Sequence, residues 1–232
     1  MFLDIRKPMD TAKSQTPRAS TILYGGDPKI LRPSKSISSS NKTLSKRLRS
    51  KDEVCWFPMR VTYNRELVVK AILDQRGVES FVPMRYEVVD RHGKRERKLL
   101  PAIHNLIFIR SSQNGIYQLK HSEERLESLR FMMSRPDTLT ATNSEVIVVP
   151  DSQMQNFIRV ASAEDDSVMF LDRSDYPLSA GRHVRVLEGP FSGVEGVIRR
   201  IQNNRKVVVQ ITGVAAVAIT YLPMRCLETI TI

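Results

Sequence analysis

Cysteine is nearly missing from this 232-residue chain: only Cys55 and Cys226 occur, far apart in sequence. Two isolated thiols make neither a disulfide framework nor the paired CxxC spacing of a zinc site, and both read as small buried hydrophobes. No run approaches the roughly 18 consecutive apolar residues that a membrane span needs. The opening stretch MFLDIRKPMD has acidic side chains where a signal peptide needs an apolar core. A cytoplasmic protein with no membrane partner is expected. Catalytic patterns are missing as well. His92, His104, His121 and His183 are scattered without HxxxH spacing, and there is no P-loop, dinucleotide glycine fingerprint or nucleophile elbow. No enzymatic activity, metal or cofactor is expected.

What is present suffices for a packed core, since 41% of residues are hydrophobic and 26% charged, close to soluble-protein averages. The net charge of +11 is unevenly placed: residues 1–51 carry 12 Lys and Arg against 3 Asp, residues 52–176 carry 17 cations against 19 acids, and residues 177–232 carry 7 against 3. Most of the excess therefore lies in the first fifth of the chain. That segment is rich in Ser, Lys, Arg and Pro and cannot bury enough apolar surface to offset chain entropy. It reads as a disordered basic tail over residues 1–52, either a diffuse contact for nucleic acid or a solubilising extension.

From residue 53 the pattern turns to mixed strands and helices. Cys55, Phe57, Met59 and Val61 alternate along one strand. Asn64 is placed to cap a helix carrying Leu67, Val68, Ala71 and Ile72, and Gly77 to end it in the left-handed conformation. Val78 to Met84 forms a second strand, and Tyr86 to Arg95 an arm turning at Gly93. Leu106 to Ile109 is a short central strand, a weak helix carries Ile116, Leu119 and Leu126, and further strands cover 131–133 and 146–149. Met154, Phe157, Ile158 and Ala161 mark a helix opened by Pro150-Asp151. This is an α+β domain over residues 53–162, an antiparallel sheet flanked by helices. A polar linker with one apolar island, Val168 to Leu171, spans 163–180. Short strands and glycines from 181 to 232 make a small all-β barrel.

The stretch from Gly181 to Val197, with Val184, Gly189, Pro190, Phe191, Gly193 and Gly196, resembles the KOW motif G-x-x-V-x-V, G-P-F, G-x-x-G. Trp56 to Val61, Arg65 to Leu73 and Phe81-Val82-Pro83-Met84 are similar to the opening of a NusG N-terminal domain, and Pro101 to Ile109 sits where that family has P-L-F-P-G/N-Y-x-F-V. His104 stands in place of the usual proline and Leu106 in place of tyrosine. The phrases Val61 to Glu66, Pro101 to Phe108 and Gly213 to Ala218 most resemble the UpxY subgroup, operon-specific antiterminators of polysaccharide-biosynthesis operons.

The resemblance implies a non-catalytic transcription elongation factor that binds RNA polymerase through Pro83, Met84, Ile103, His104, Asn105, Leu106 and Phe108 and suppresses pausing or termination. It implies that charged side chains at Leu106 and Phe108 abolish binding in a folded domain, whereas Trp56 and Phe81 read as core. Arg91, Lys94, Arg95, Arg97 and Lys98 on the hairpin arm are either a solvated turn or contacts to DNA phosphates of the elongation complex. The KOW barrel would meet the ribosome or Rho. The β-branched runs 207–211 and 215–221 favour strands over a helical hairpin, giving the expectation of a constitutive barrel on a flexible tether. The alternative function is a KOW-containing RNA-binding or ribosome-associated module.

Overall fold

A computed structural model describes residues 50–134, 144–164, 167–171 and 181–231. The tail therefore lies outside the described residues up to position 49, as does most of the stretch read as a linker.

The N-terminal half is built on β1 (Cys55–Arg60) and β5 (Leu106–Ser111), paired antiparallel with Phe57 opposite Ile109 and Met59 opposite Ile107. Two short strands, β2 (Ser80–Phe81) and β6 (Arg130–Phe131), complete a four-stranded sheet in the order β2-β5-β1-β6. Between them β3 (Met84–Arg91) and β4 (Lys94–Pro101) form a separate hairpin. His92 and Gly93 close it with φ of 56° and 78°, the paired left-handed residues of a type I′ turn whose twist matches the strands it joins.

Alternation along β1 and β5 gives the sheet two apolar faces. Cys55, Phe57, Met59, Ile107 and Ile109 face α1 (Glu66–Gln75) and α2 (Gln113–Ser122), burying Val69, Ile72, Leu73 and Ile116 among them. Gly77 ends α1 at φ +66° as expected. Asn64 does not cap it: the capping position is Arg65, with no side-chain cap, and Asn64 is itself left-handed at φ 51°. Ser112 does cap α2, accepting from the Gly115 N–H at 2.9 Å. The strand expected over 146–149 reduces to two bridges, Met133 to Val146 and Trp56 to Val149.

The C-terminal half is all-β. Strands β7 (Val168–Leu171), β8 (Arg182–Val186), β9 (Glu195–Ile201), β10 (Asn204–Ile211), β11 (Ala215–Ile219) and β12 (Leu227–Thr229) form one antiparallel sheet in the order β12-β8-β9-β10-β11-β7. Two results go beyond the sequence reading. The apolar island in the linker is strand β7, with Phe170 opposite Val217; four consecutive apolar residues find a partner in the alanine-rich β11. The sheet also has two edge strands, and among the described residues no pairing joins β12 to β7 into a closed ring.

Gly196 shows why the KOW-like spacing demands glycine inside a strand. A Cβ there would lie 2.8 Å from the Val208 carbonyl oxygen of β10, a close approach of backbones that only glycine permits. Gly181 stands just before β8, Val184 is buried on it, Gly189 and Gly193 take positive φ around the exposed Pro190, and Phe191 turns inward to 4% exposure.

Candidate functional site

The second face of the N-terminal sheet carries Trp56, Leu106 and Phe108, and the local helices α1 and α2 do not cover it. Helix α3 (Asp151–Ala161) crosses it, laying Met154, Phe157, Val160 and Ala161 into the same cluster. Phe81, Phe108 and Phe157 meet there, Phe108 and Phe157 with ring centroids 5.6 Å apart and each 6.4 Å from Phe81. The cluster does not stop at α3: Val186, Phe191, Val209, Ile211, Val217 and Ile219 of the C-terminal half belong to it. Gln153 donates to the Gln210 carbonyl at 2.9 Å and Arg159 to that of Pro190 at 3.2 Å. The freely tethered barrel expected from sequence is thus a sheet docked on α3, because α3 has apolar side chains on both flanks of its buried stripe.

Arg110 of β5 fastens the start of this helix, its guanidinium 3.3 Å from Asp151 and 3.5 Å from Glu79. The hydrogen bond that Arg110 donates to the Asp151 carboxylate raises the Arg110 pKa above its ordinary value.

The stretch Ile103 to Phe108 splits between core and surface. Leu106 and Phe108 are 4% and 0% exposed, Pro83 is buried, Ile103, Asn105 and Met84 are half-buried, and His104 is exposed. Charged replacements at Leu106 and Phe108 would therefore disrupt the core they share with α3, and would not report on a partner alone. Trp56, at 2% exposure, is core. Asn105 adopts φ 60° and knots two loops together. Its carbonyl accepts from the Val61 N–H at 3.1 Å, its side chain accepts from the Asn64 N–H at 3.0 Å, and its own N–H donates to the carboxylate of the fully buried Glu66. The sequence signal for this knot was absent, because it joins residues about 40 positions apart.

Beside this face lies an open cleft of about 430 Å³. Phe81, Met84, Tyr86 and Leu99 line one wall, and Val168 and Phe170 of β7 the other. Tyr86 is 40% and Leu99 47% exposed, so the hairpin presents apolar surface to the cleft mouth. The Arg97 guanidinium lies 4.2 Å from the Tyr86 ring centroid.

The hairpin cations do not form one patch. Register places Arg95 and Arg97 on the face of Tyr86 and Leu99, opposite Asp90 and Val88. Lys94 and Lys98 take the other face, where Lys98 is 3.7 Å from Glu96. Arg91 is the last residue of β3. Among the described residues no group of three or more His, Cys, Asp or Glu converges to hold a metal, and no helix is long and apolar enough to cross a membrane.

A solved structure described as "Domain interaction in Thermotoga maritima NusG" is similar at 17% identity, covering 78% of this chain and 100% of its own, with a TM-score of 0.36. No curated protein matches the chain. Residues 54–158, the half that carries both apolar faces and most of α3, match the family described as NusG, transcription termination factor nusG.

Proposed function

We propose that this protein is a transcription elongation factor of the antiterminator kind, which binds RNA polymerase through its N-terminal half and suppresses pausing or termination. The observation that carries the reading is the NusG match over residues 54–158, falling on a sheet whose second apolar face is not closed by its own local helices. Binding that discriminates between two polymerase conformations shifts their population without any chemistry, so no catalytic residue is required. Met84, Ile103 and His104, with Tyr86 and Leu99 at the cleft mouth, are the side chains that reach a partner directly. Pro83, Asn105, Leu106 and Phe108 support that surface, and a partner that needs Leu106 and Phe108 themselves must first displace α3 along with the C-terminal sheet docked on it. Arg95 and Arg97 lie beside the apolar face and serve DNA phosphates of the elongation complex, with Arg91, Lys94 and Lys98 on the rest of the hairpin. The finer reading, from the UpxY-like phrases, is a cytoplasmic regulator of polysaccharide operons whose KOW-like half meets the ribosome or Rho.

The test is copurification of polymerase subunits with the full-length protein, against Met84→Glu/Ile103→Glu. Loss of hot-spot contacts lowers recovery about tenfold or more while circular dichroism stays unchanged. Equal recovery with a folded variant rules out this surface.

A further inference from the structure

The two ends of the C-terminal sheet treat their arginines differently. At the end where β9 starts, Arg185 is neutralised twice, 2.7 Å from Glu195 and 3.8 Å from Glu228. At the opposite end β8 begins with Arg182, β9 finishes with Arg200 and Ile201, β10 begins with Asn204 and Arg205, and β11 finishes at Ile219. Arg205 lies directly opposite Arg200, and Arg182 directly opposite Ile198, two residues before Arg200 on the same face. All three arginines are exposed. None has an acidic partner among the described residues; Arg200 Nε donates to the Asn203 carbonyl at 3.4 Å. Like charges directly opposite in a sheet destabilise it, and the Arg205–Arg200 rung bears that cost.

Tyr221 leaves the sheet at the same end, two residues beyond the Val207–Ile219 pair, on the side of Arg205. It is 84% exposed, so its ring contributes little to the core. Arginines without counter-ions supply attraction for phosphates, and an exposed aromatic ring supplies a face on which an unpaired base stacks. A duplex offers the phosphates and withholds the base faces.

We infer that this end of the C-terminal sheet binds single-stranded nucleic acid, with Arg182, Arg200 and Arg205 on the phosphates and Tyr221 beneath a base. The site is independent of polymerase docking, which uses the other half of the chain.

Fluorescence anisotropy of the full-length protein with oligouridylate RNA, an oligothymidylate DNA of equal length and a duplex DNA tests it. Arg182→Gln/Arg200→Gln/Arg205→Gln weakens single-strand binding about tenfold or more and lowers the slope of log affinity against log salt by about 2. Tyr221→Ala weakens single-strand binding about tenfold and leaves both the salt slope and duplex binding unchanged. A loss shared by RNA and DNA assigns the site to any single strand, and a loss confined to RNA assigns it to a transcript. Wild-type affinity in both variants overturns the proposal, placing the binding in the tail and hairpin. Equal weakening of duplex and single strand by Tyr221→Ala overturns it too. Tyr221→Ala alters only an exposed ring and decides the question even if the arginine variant misfolds.

Discussion

The two faces of the N-terminal sheet are equally buried but differently built. Phe57, Met59, Ile107 and Ile109 are covered by α1 and α2, elements connected to the same strands by short loops. Trp56, Leu106 and Phe108 are covered by α3 and, through it, by strands about 100 residues further along the chain. The first face is a core that the N-terminal half makes for itself. The second is closed by α3 of the same half and, beyond it, by the C-terminal sheet, so that core and inter-half contact are continuous there.

The largest expected effect tests the first face. Phe57→Ala removes a ring 1% exposed and should cost about 3 to 5 kcal/mol in urea-monitored stability, with protection lost throughout the chain. Phe157→Ala removes a comparable ring from the second face, at a cost of about 3 kcal/mol or somewhat more. Hydrogen exchange should show the difference: amides of Val207–Ile211 and Ala215–Ile219 exchange faster in Phe157→Ala while β1 and β5 keep their protection. Equal loss in both halves would erase the distinction between core and interface.

Gln153→Ala removes only the bond from α3 to the Gln210 carbonyl. About 1 kcal/mol is expected, read as greater protease sensitivity of the C-terminal half with little change in overall melting. The smallest effect lies behind the first face, where Arg76 after α1 meets Glu123 after α2 at 3.0 Å. The Glu123 carboxyl is held below its ordinary pKa, first by the hydrogen bond from Arg125 and then by Arg76. A carboxylate depressed on folding stabilises above its unfolded pKa, and that contribution disappears as pH falls through the folded value. Glu123→Gln should slightly flatten the acid limb of stability against pH, and added salt should flatten it further; an unchanged limb would leave the α1–α2 latch without a role.

Much of the first face was legible because its signals are local. Period-two alternation of Cys55, Phe57, Met59 and Val61 named the inward residues, Gly77 marked the end of α1, and Gly93 the hairpin turn. Misses came where a local rule met a distant competitor. Asn64 is a good capping residue, but its N–H is engaged by Asn105, so it turns left-handed and leaves the cap to Arg65. Val146 to Val149 has the composition of a strand, yet finds only two bridging partners. Val168 to Leu171 looked like an apolar island because its partner, β11, lies about 45 residues away.

The candidate surface divides in the same way. Sequence alone determined most of the strands and helices and the strand character of the C-terminal half, and named the stretch Ile103 to Phe108 as the place to look, since propensity, periodicity and turn chemistry act within a few residues. Only the tertiary structure decided that Leu106 and Phe108 are covered, that Met84, Tyr86 and Leu99 border an open cleft, and that Arg182, Arg200, Arg205 and Tyr221 come out at one end of a sheet. Burial and charge pairing depend on which distant elements meet, and strand register sets those meetings.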